Sequence, residues 1–162
     1  MPNLTRLKKY QTMLHIDTSS TSTPSWARIG KSTVFDLVMN AQTEENDFIE
    51  DQQVTTDIMS YKPEISEELQ CNKGDAAFDY LYAMFKSRPT GEEVKKSVLL
   101  TFAGNVGTDL APEFDAWLTQ STITLDHFDS VAEKIYFNIS INKITEGTVT
   151  VTDGVPSFTP TN

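Results

Sequence analysis

The chain has 162 residues, of which 38% are apolar, with a net charge of −10 and a pI near 4.5. That length suits one domain with a real core, and the longest apolar run, Val98 to Ala103, is far short of the ~20 residues that cross a bilayer. Holding nucleic acid by its phosphates needs clustered Lys and Arg that displace counterions, and an acidic chain of this kind lacks them.

The charge is uneven. Residues 1–43 carry five basic side chains (Arg6, Lys8, Lys9, Arg28, Lys31) against two acidic ones (Asp17, Asp36). The rest of the chain holds the remaining eight basic and twenty-one acidic groups. A polar run follows the first basic residues where an apolar signal region belongs, so no secretory leader is expected. Cys71 is the only cysteine, which excludes an internal disulfide and fits a reducing cytoplasm.

In chain order, about residues 1–12 read as a mobile N-terminal segment. Met13 to Ile16 and Ala27 to Gly30 read as short strands around a flexible DTSSTSTPS loop, and Val34 to Val38 is a short apolar run. Glu44, Glu45, Asp47, Glu50 and Asp51 crowd five carboxylates into eight residues, broken only by Asn46, Phe48 and Ile49. Such a cluster cannot sit in a core, so about 44–56 reads as a long, exposed acidic loop. An extended pattern resumes from Val54 to Met59.

From Pro63 the alternation sharpens. Ile65, Leu69 and Cys71 fall on one face, and Glu64, Ser66, Glu68 and Gln70 on the other. A helix is predicted from about Asp75 to Lys86, because Phe78, Leu81, Tyr82 and Phe85 fall at i, i+3, i+4 and i+7. Asp75 stands where an N-cap belongs, and Arg88-Pro89-Thr90-Gly91 ends the helix. Val94 to Ala103 alternates as a strand, Gly104 to Gly107 reads as a turn, and Thr119 to Leu125 is a Thr-rich strand. Val131 to Ile144 is the clearest strand, with Ile135, Phe137, Ile139 and Ile141 opposed to Asn138, Ser140 and Asn142. Thr145-Glu146-Gly147 reads as a turn, Thr148 to Thr152 as a strand, and about 154–162 as a tail that orders only when bound. The fold class is mainly β, with one flanking helix.

Signs of catalysis are weak. Gly30-Lys31-Ser32-Thr33 imitates the end of a phosphate-binding loop, but Ser25 stands where the first glycine belongs and Trp26, Arg28 and Ile29 fill the cradle. His15, His127 and Cys71 match no metal spacing. A Cys71–His127 nucleophilic pair is conceivable, but a thiol at the end of an apolar strand face is more simply an inert core group. Carboxylate pairs are plentiful, yet neither Trp26 nor Trp117 is placed beside one as a sugar platform. No enzyme, cofactor or metal is expected.

Tyr61-Lys62-Pro63-Glu64-Ile65-Ser66 leads to a Gly74-Asp75 helix start, a terminal strand pair and a Pro/Thr tail, with EENDFIEDQQVTTD upstream. This order, from about Trp26 to Thr159, resembles the major tail proteins (tail tube proteins) of long-tailed bacteriophages. The resemblance implies a β-sandwich or barrel with a flanking helix, each subunit contributing strands to a hexameric β-barrel. Stacked rings would form the tube that conducts DNA during genome ejection. It also implies a virion protein of a non-contractile tail, assembled in the host cytoplasm without a membrane. Its partners would be copies of itself and the tape-measure, tail-terminator and distal tail proteins, with DNA passing through but not held.

On that reading Glu64, Ser66, Glu68, Gln70, Asn138, Ser140 and Asn142 are candidates for a lumen face, since a basic lumen would stall the genome. Glu44, Glu45, Asp47, Phe48, Ile49, Glu50 and Asp51 are candidates for a contact between rings, meeting Arg6, Lys8 and Lys9. Pairing between neighbours would also remove the hazard of open strand edges. The alternative is a monomeric β-sandwich binding module for carbohydrate or adhesion. It would need an exposed aromatic cluster or a calcium loop, and EENDFIED lacks the central glycine and spacing of the latter.

Overall fold

The computed structural model describes residues 4–162. Among these are ten strands and one α-helix: β1 (Met13–Asp17), β2 (Trp26–Arg28), β3 (Phe35–Val38), β4 (Ala41–Asn46), β5 (Thr55–Tyr61), β6 (Glu64–Gln70), α1 (Ala76–Ser87), β7 (Lys95–Asn105), β8 (Phe114–Asp129), β9 (Lys134–Thr152) and β10 (Val155–Pro160). The protein is mainly β, and every ladder is antiparallel.

Eight strands form one sheet in the order β2-β1-β7-β8-β9-β6-β3, with β10 added to β9. β9 is the spine. Along one side it pairs with β8; along the other, Lys134 to Ser140 pair with β6 and Gly147 to Thr152 with β10. β4 and β5 form a separate two-stranded ribbon.

The helix forms for local reasons. The Asp75 carboxylate accepts from the Ala77 N–H at 3.1 Å, filling one of the orphan donors of the first turn. Asp79 in the first turn and Lys86 in the last both suit the helix dipole. Arg88 closes the end in a left-handed conformation (φ 53°), its N–H reaching Met84 O, just before Pro89. Phe78 and Leu81 are buried with Ala77 and Met84 against Leu14, Ile16, Val98, Leu100, Ile135 and Ile139 of the sheet. Tyr82 and Phe85 are half-buried at the margin, where both rings meet Phe128.

Among the described residues, the other face of the sheet buries an apolar cluster at one end only. Val98 and Leu100 join the helix core, while Leu99 between them points the opposite way, into a small cluster with Ala116, Val149, Trp26, Leu118 and Phe158.

Four expectations need correction. Residues 44–56 are not an irregular loop: Ala41–Asn46 and Thr55–Tyr61 pair as a hairpin, leaving only its tip irregular. Residues 154–162 are not a free tail, because Val155 to Pro160 pair in register with Thr152 to Gly147. Its prolines are tolerated because β10 is an edge strand. Thr145-Glu146-Gly147 is no turn, since β9 runs straight through it. Glu68 does not stand out from its strand: it is 8% exposed, covered by Thr33 and Lys134. At the N-terminus, residues 1–3 of the expected mobile segment lie outside the described residues, and Lys9–Gln11 form a short 3-10 turn.

Candidate assembly surfaces

Two surfaces stand out, a polar sheet face and the ribbon. The lumen-face candidates come from separate strands, and the β6–β9 register brings them side by side. Glu64 pairs with Ser140 and Ser66 with Asn138. The rows continue to Val38 and Asp36 on β3, and to Thr122 and Thr124 on β8. Lys95 on β7 extends the first row. Asn142 falls at a bulge in the β8–β9 ladder and donates from Nδ2 to Thr122 Oγ1 at 2.8 Å.

This face is a mosaic of hydroxyls, amides and a few carboxylates. Ser66, Gln70 and Asn142 are exposed, and Glu64, Asn138 and Ser140 half-buried. Glu68 is spent on its neighbours. It accepts from Lys134 Nζ at 2.8 Å and from the Thr33 hydroxyl, and these bonds hold its carboxyl below the usual range. The same partnership raises Lys134. Beside it Tyr136 stacks flat on His127, ring centroids 4.2 Å apart, and His127 Nδ1 lies 2.8 Å from Asp126.

The ribbon is unusual in having no buried side. Every residue of β5 is exposed. Ile58 is 56% and Met59 64% exposed, and as strand neighbours they point to opposite faces. Tyr61, Val54, Phe48 and Ile49 add further bare apolar surface. Residues 41–61 hold six carboxylates (Glu44, Glu45, Asp47, Glu50, Asp51, Asp57) and no Lys or Arg. At the base, Asn40 takes a left-handed conformation (φ 46°), and its side-chain amide donates to Lys62 O at 3.1 Å. At the tip the Asp51 N–H reaches Phe48 O at 3.0 Å, placing Phe48 and Ile49 in the turn. The acidic sequence signalled exposure. The apolar share of the surface, Ile58, Met59 and Tyr61, was missed because a Val-to-Met run reads as an ordinary half-buried strand.

The remaining candidates are dispersed. Gly30-Lys31-Ser32-Thr33 joins β2 to β3, so a strand follows it where a phosphate loop would lead into a helix. His15 lies buried on β1 with no partner for Nδ1 among the described residues. Burial, then the Arg28 charge, pushes its pKa down to about 4, so it is neutral at physiological pH. Cys71 is half-buried at the end of β6, its thiol raised by burial and then by Glu133. Among the described residues no three His, Cys, Asp or Glu side chains gather as a metal cluster. None of their helices is long and apolar enough to cross a membrane.

No protein-family model matches the chain, and no curated protein sequence matches it either.

Proposed function

We propose that this chain is a structural subunit of a bacteriophage tail tube, forming rings that stack into a conduit for DNA. The observation that carries the reading is the β4–β5 ribbon. An isolated two-stranded ribbon is marginal in water, and this one exposes apolar side chains on both faces. Such an arm gains its stability from a surface that is not on the same chain. In a homopolymer that surface belongs to the next copy, where Phe48 and Ile49 would pack and the carboxylates would meet Arg6, Lys8 and Lys9. The charges would set register more than strength, since exposed pairs contribute ~0–1 kcal/mol each.

The polar face of β3, β6, β9 and β8 supports the same reading. Glu64, Ser66, Asn138 and Ser140 would let a polyanion pass without holding it, because they offer no clustered cations. Glu68 is withdrawn from that role by Lys134. Tape-measure, terminator and distal proteins would cap and fill the tube, and no catalytic step is assigned to the chain.

The test is electron microscopy of the purified protein beside the double variant Phe48→Ser/Ile49→Ser. The wild type is expected as rings and tubes, and the variant as folded subunits that make no long tubes. Tubes of normal length from the variant would remove the arm from the contact. A wild type that stays monomeric at high concentration, with no change on adding calcium, would sink the tube. Monomers whose melting rises with calcium would point to a binding module instead.

A further inference from the structure

Residues 29–34 form a strap between β2 and β3, the two ends of the main sheet. The strap is fastened at several points. The Ile29 N–H donates to Leu14 O at 2.8 Å on β1, and the Gln70 N–H of β6 donates to Lys31 O at 2.9 Å. Ser32 and Thr33 then meet successive carboxyls of β6, Glu67 and Glu68.

These two carboxyls differ. Glu68 has the Lys134 ammonium; Glu67, 5% exposed, has no ion pair within the described residues. It projects to the core side of β6, opposite Phe35 and Phe137 in the two ladders. The Ser32 hydroxyl decides its state. Oγ lies 2.7 Å from Val34 O and 2.8 Å from Glu67 Oε2, and it also receives the Val34 N–H at 3.2 Å. One hydroxyl proton cannot serve two acceptors. If Glu67 is a carboxylate, one of the two contacts is lone pair against lone pair. If Glu67 is the acid, its O–H donates to Ser32 Oγ, Ser32 donates to Val34 O, and no contact sets lone pair against lone pair.

We propose that Glu67 is held as the neutral acid in the folded chain and acts as a proton-operated latch on the strap that leads into β3. Losing the proton would leave a bare carboxylate beside Glu68 and break the Ser32 relay. Burial raises the Glu67 pKa to about 7, with the Ser32 bond pulling the other way and Glu68 adding to the rise. Other charged or titratable groups line the spaces around it. They are Lys9, Tyr10 and Arg28 on the cleft side, Lys31 within the strap, and Lys134, Tyr136 and Asp126 on the sheet side. The cleft, about 580 Å³, gives the proton a way in.

The sign follows from linkage. A folded pKa above the unfolded one means that the latch is complete below about pH 4.5 and is lost as pH rises through about 7. His15 works in the opposite sense, because its folded pKa is lowered to about 4 and its share of stability disappears as pH falls from 6.5. A wild-type pH profile therefore mixes the two, and the difference from Glu67→Gln isolates the latch.

The experiment measures thermal midpoints and the exchange protection of the Val34 amide from pH 5 to 8 in wild type and Glu67→Gln. The amide of Gln donates to Ser32 at every pH. Wild-type protection at Val34, relative to the variant, is expected to fall by at least about tenfold over that range. Parallel profiles, or a variant less protected at every pH, would overturn the latch. A second measurement needs no variant: the carboxyl carbon resonance of Glu67 in the wild type. A midpoint above pH 6 supports the proposal, and one in the ordinary range near 4.5 refutes it.

Discussion

Leu81→Asp is expected to leave no folded subunit at 25 °C. Leu81 is fully buried at the centre of the stripe that α1 lays on the sheet, among Phe78, Met84 and the Ile and Leu side chains of β1, β6 and β9. An aspartate there loses the packing of a leucine and strands a charge with no cation in reach. Large-to-small replacement alone costs about 2–5 kcal/mol, and an unpaired buried charge adds several more. A domain has about 5–15 kcal/mol to lose. Phe85→Asp should do less, because Phe85 is half-buried beside Phe128 and an aspartate there can turn to water. Circular dichroism and thermal melting of both variants check the ranking. A cooperative melt of Leu81→Asp near the wild-type midpoint would mean that the helix face is wrongly placed.

Gly147→Ala is expected to detach β10. Gly147 lies in the middle of β9, and its conformation does not require glycine; its surroundings do. A Cβ there would stand 2.2 Å from Thr159 O and 2.6 Å from Cζ of Phe158. The ring can give way, but the backbone oxygen moves only with its strand. Overpacking of this kind costs about 1–3 kcal/mol, which in a chain of this size lowers the melting midpoint by roughly 2–12 °C. The loss should be local, because Phe158 covers Val149 and Leu99 while the helix core lies on the other face. Amide exchange at Thr161, whose N–H reaches Glu146 O, should speed up while exchange in α1 stays slow. Unchanged exchange at Thr161 would show that β10 tolerates the extra methyl.

The helix and the first half of the spine were legible because several local signals agreed there. Asp75, the Phe78-to-Phe85 stripe and Arg88-Pro89 all specify one helix, and Ile135 to Ile141 alternate strictly. Of the ribbon, β5 was legible as the extended run Val54 to Met59, but β4 was not, because neither of its faces is buried. Alternation reports burial on one side, and Ala41 to Asn46 has none to report. Pro156 and Pro160 argued against a strand, yet β10 pairs on one side only. Gly147 looked like a turn, when it is the gap that the Phe158 ring fills.

At the candidate site the alternation sorted each strand's faces, Glu64 with Ser66 and Asn138 with Ser140, but only the β6–β9 register brings the two sets together. The alternation was wrong about Glu68, since no single strand reveals that a strap from residues 29–34 will lie over it. Glu67 was noticed only as one of many carboxylate pairs and was not singled out. It sits between Ile65 and Leu69 on the core-facing register, and a carboxyl at such a position was itself the available signal.

The central place of β9 has a consequence for how the chain comes off the ribosome. Up to residue 94 the nascent polypeptide can make only three ladders, β1 with β2, β3 with β6, and the β4–β5 ribbon. None of them joins another. The first two are tied together only when β7, β8 and β9 arrive. Helix α1 therefore emerges with its apolar stripe bare and lacks most of its floor until β9 has followed it. Topologies dominated by such distant pairings fold in milliseconds to seconds, not microseconds. During that wait the open strands are vulnerable to pairing with those of neighbouring chains.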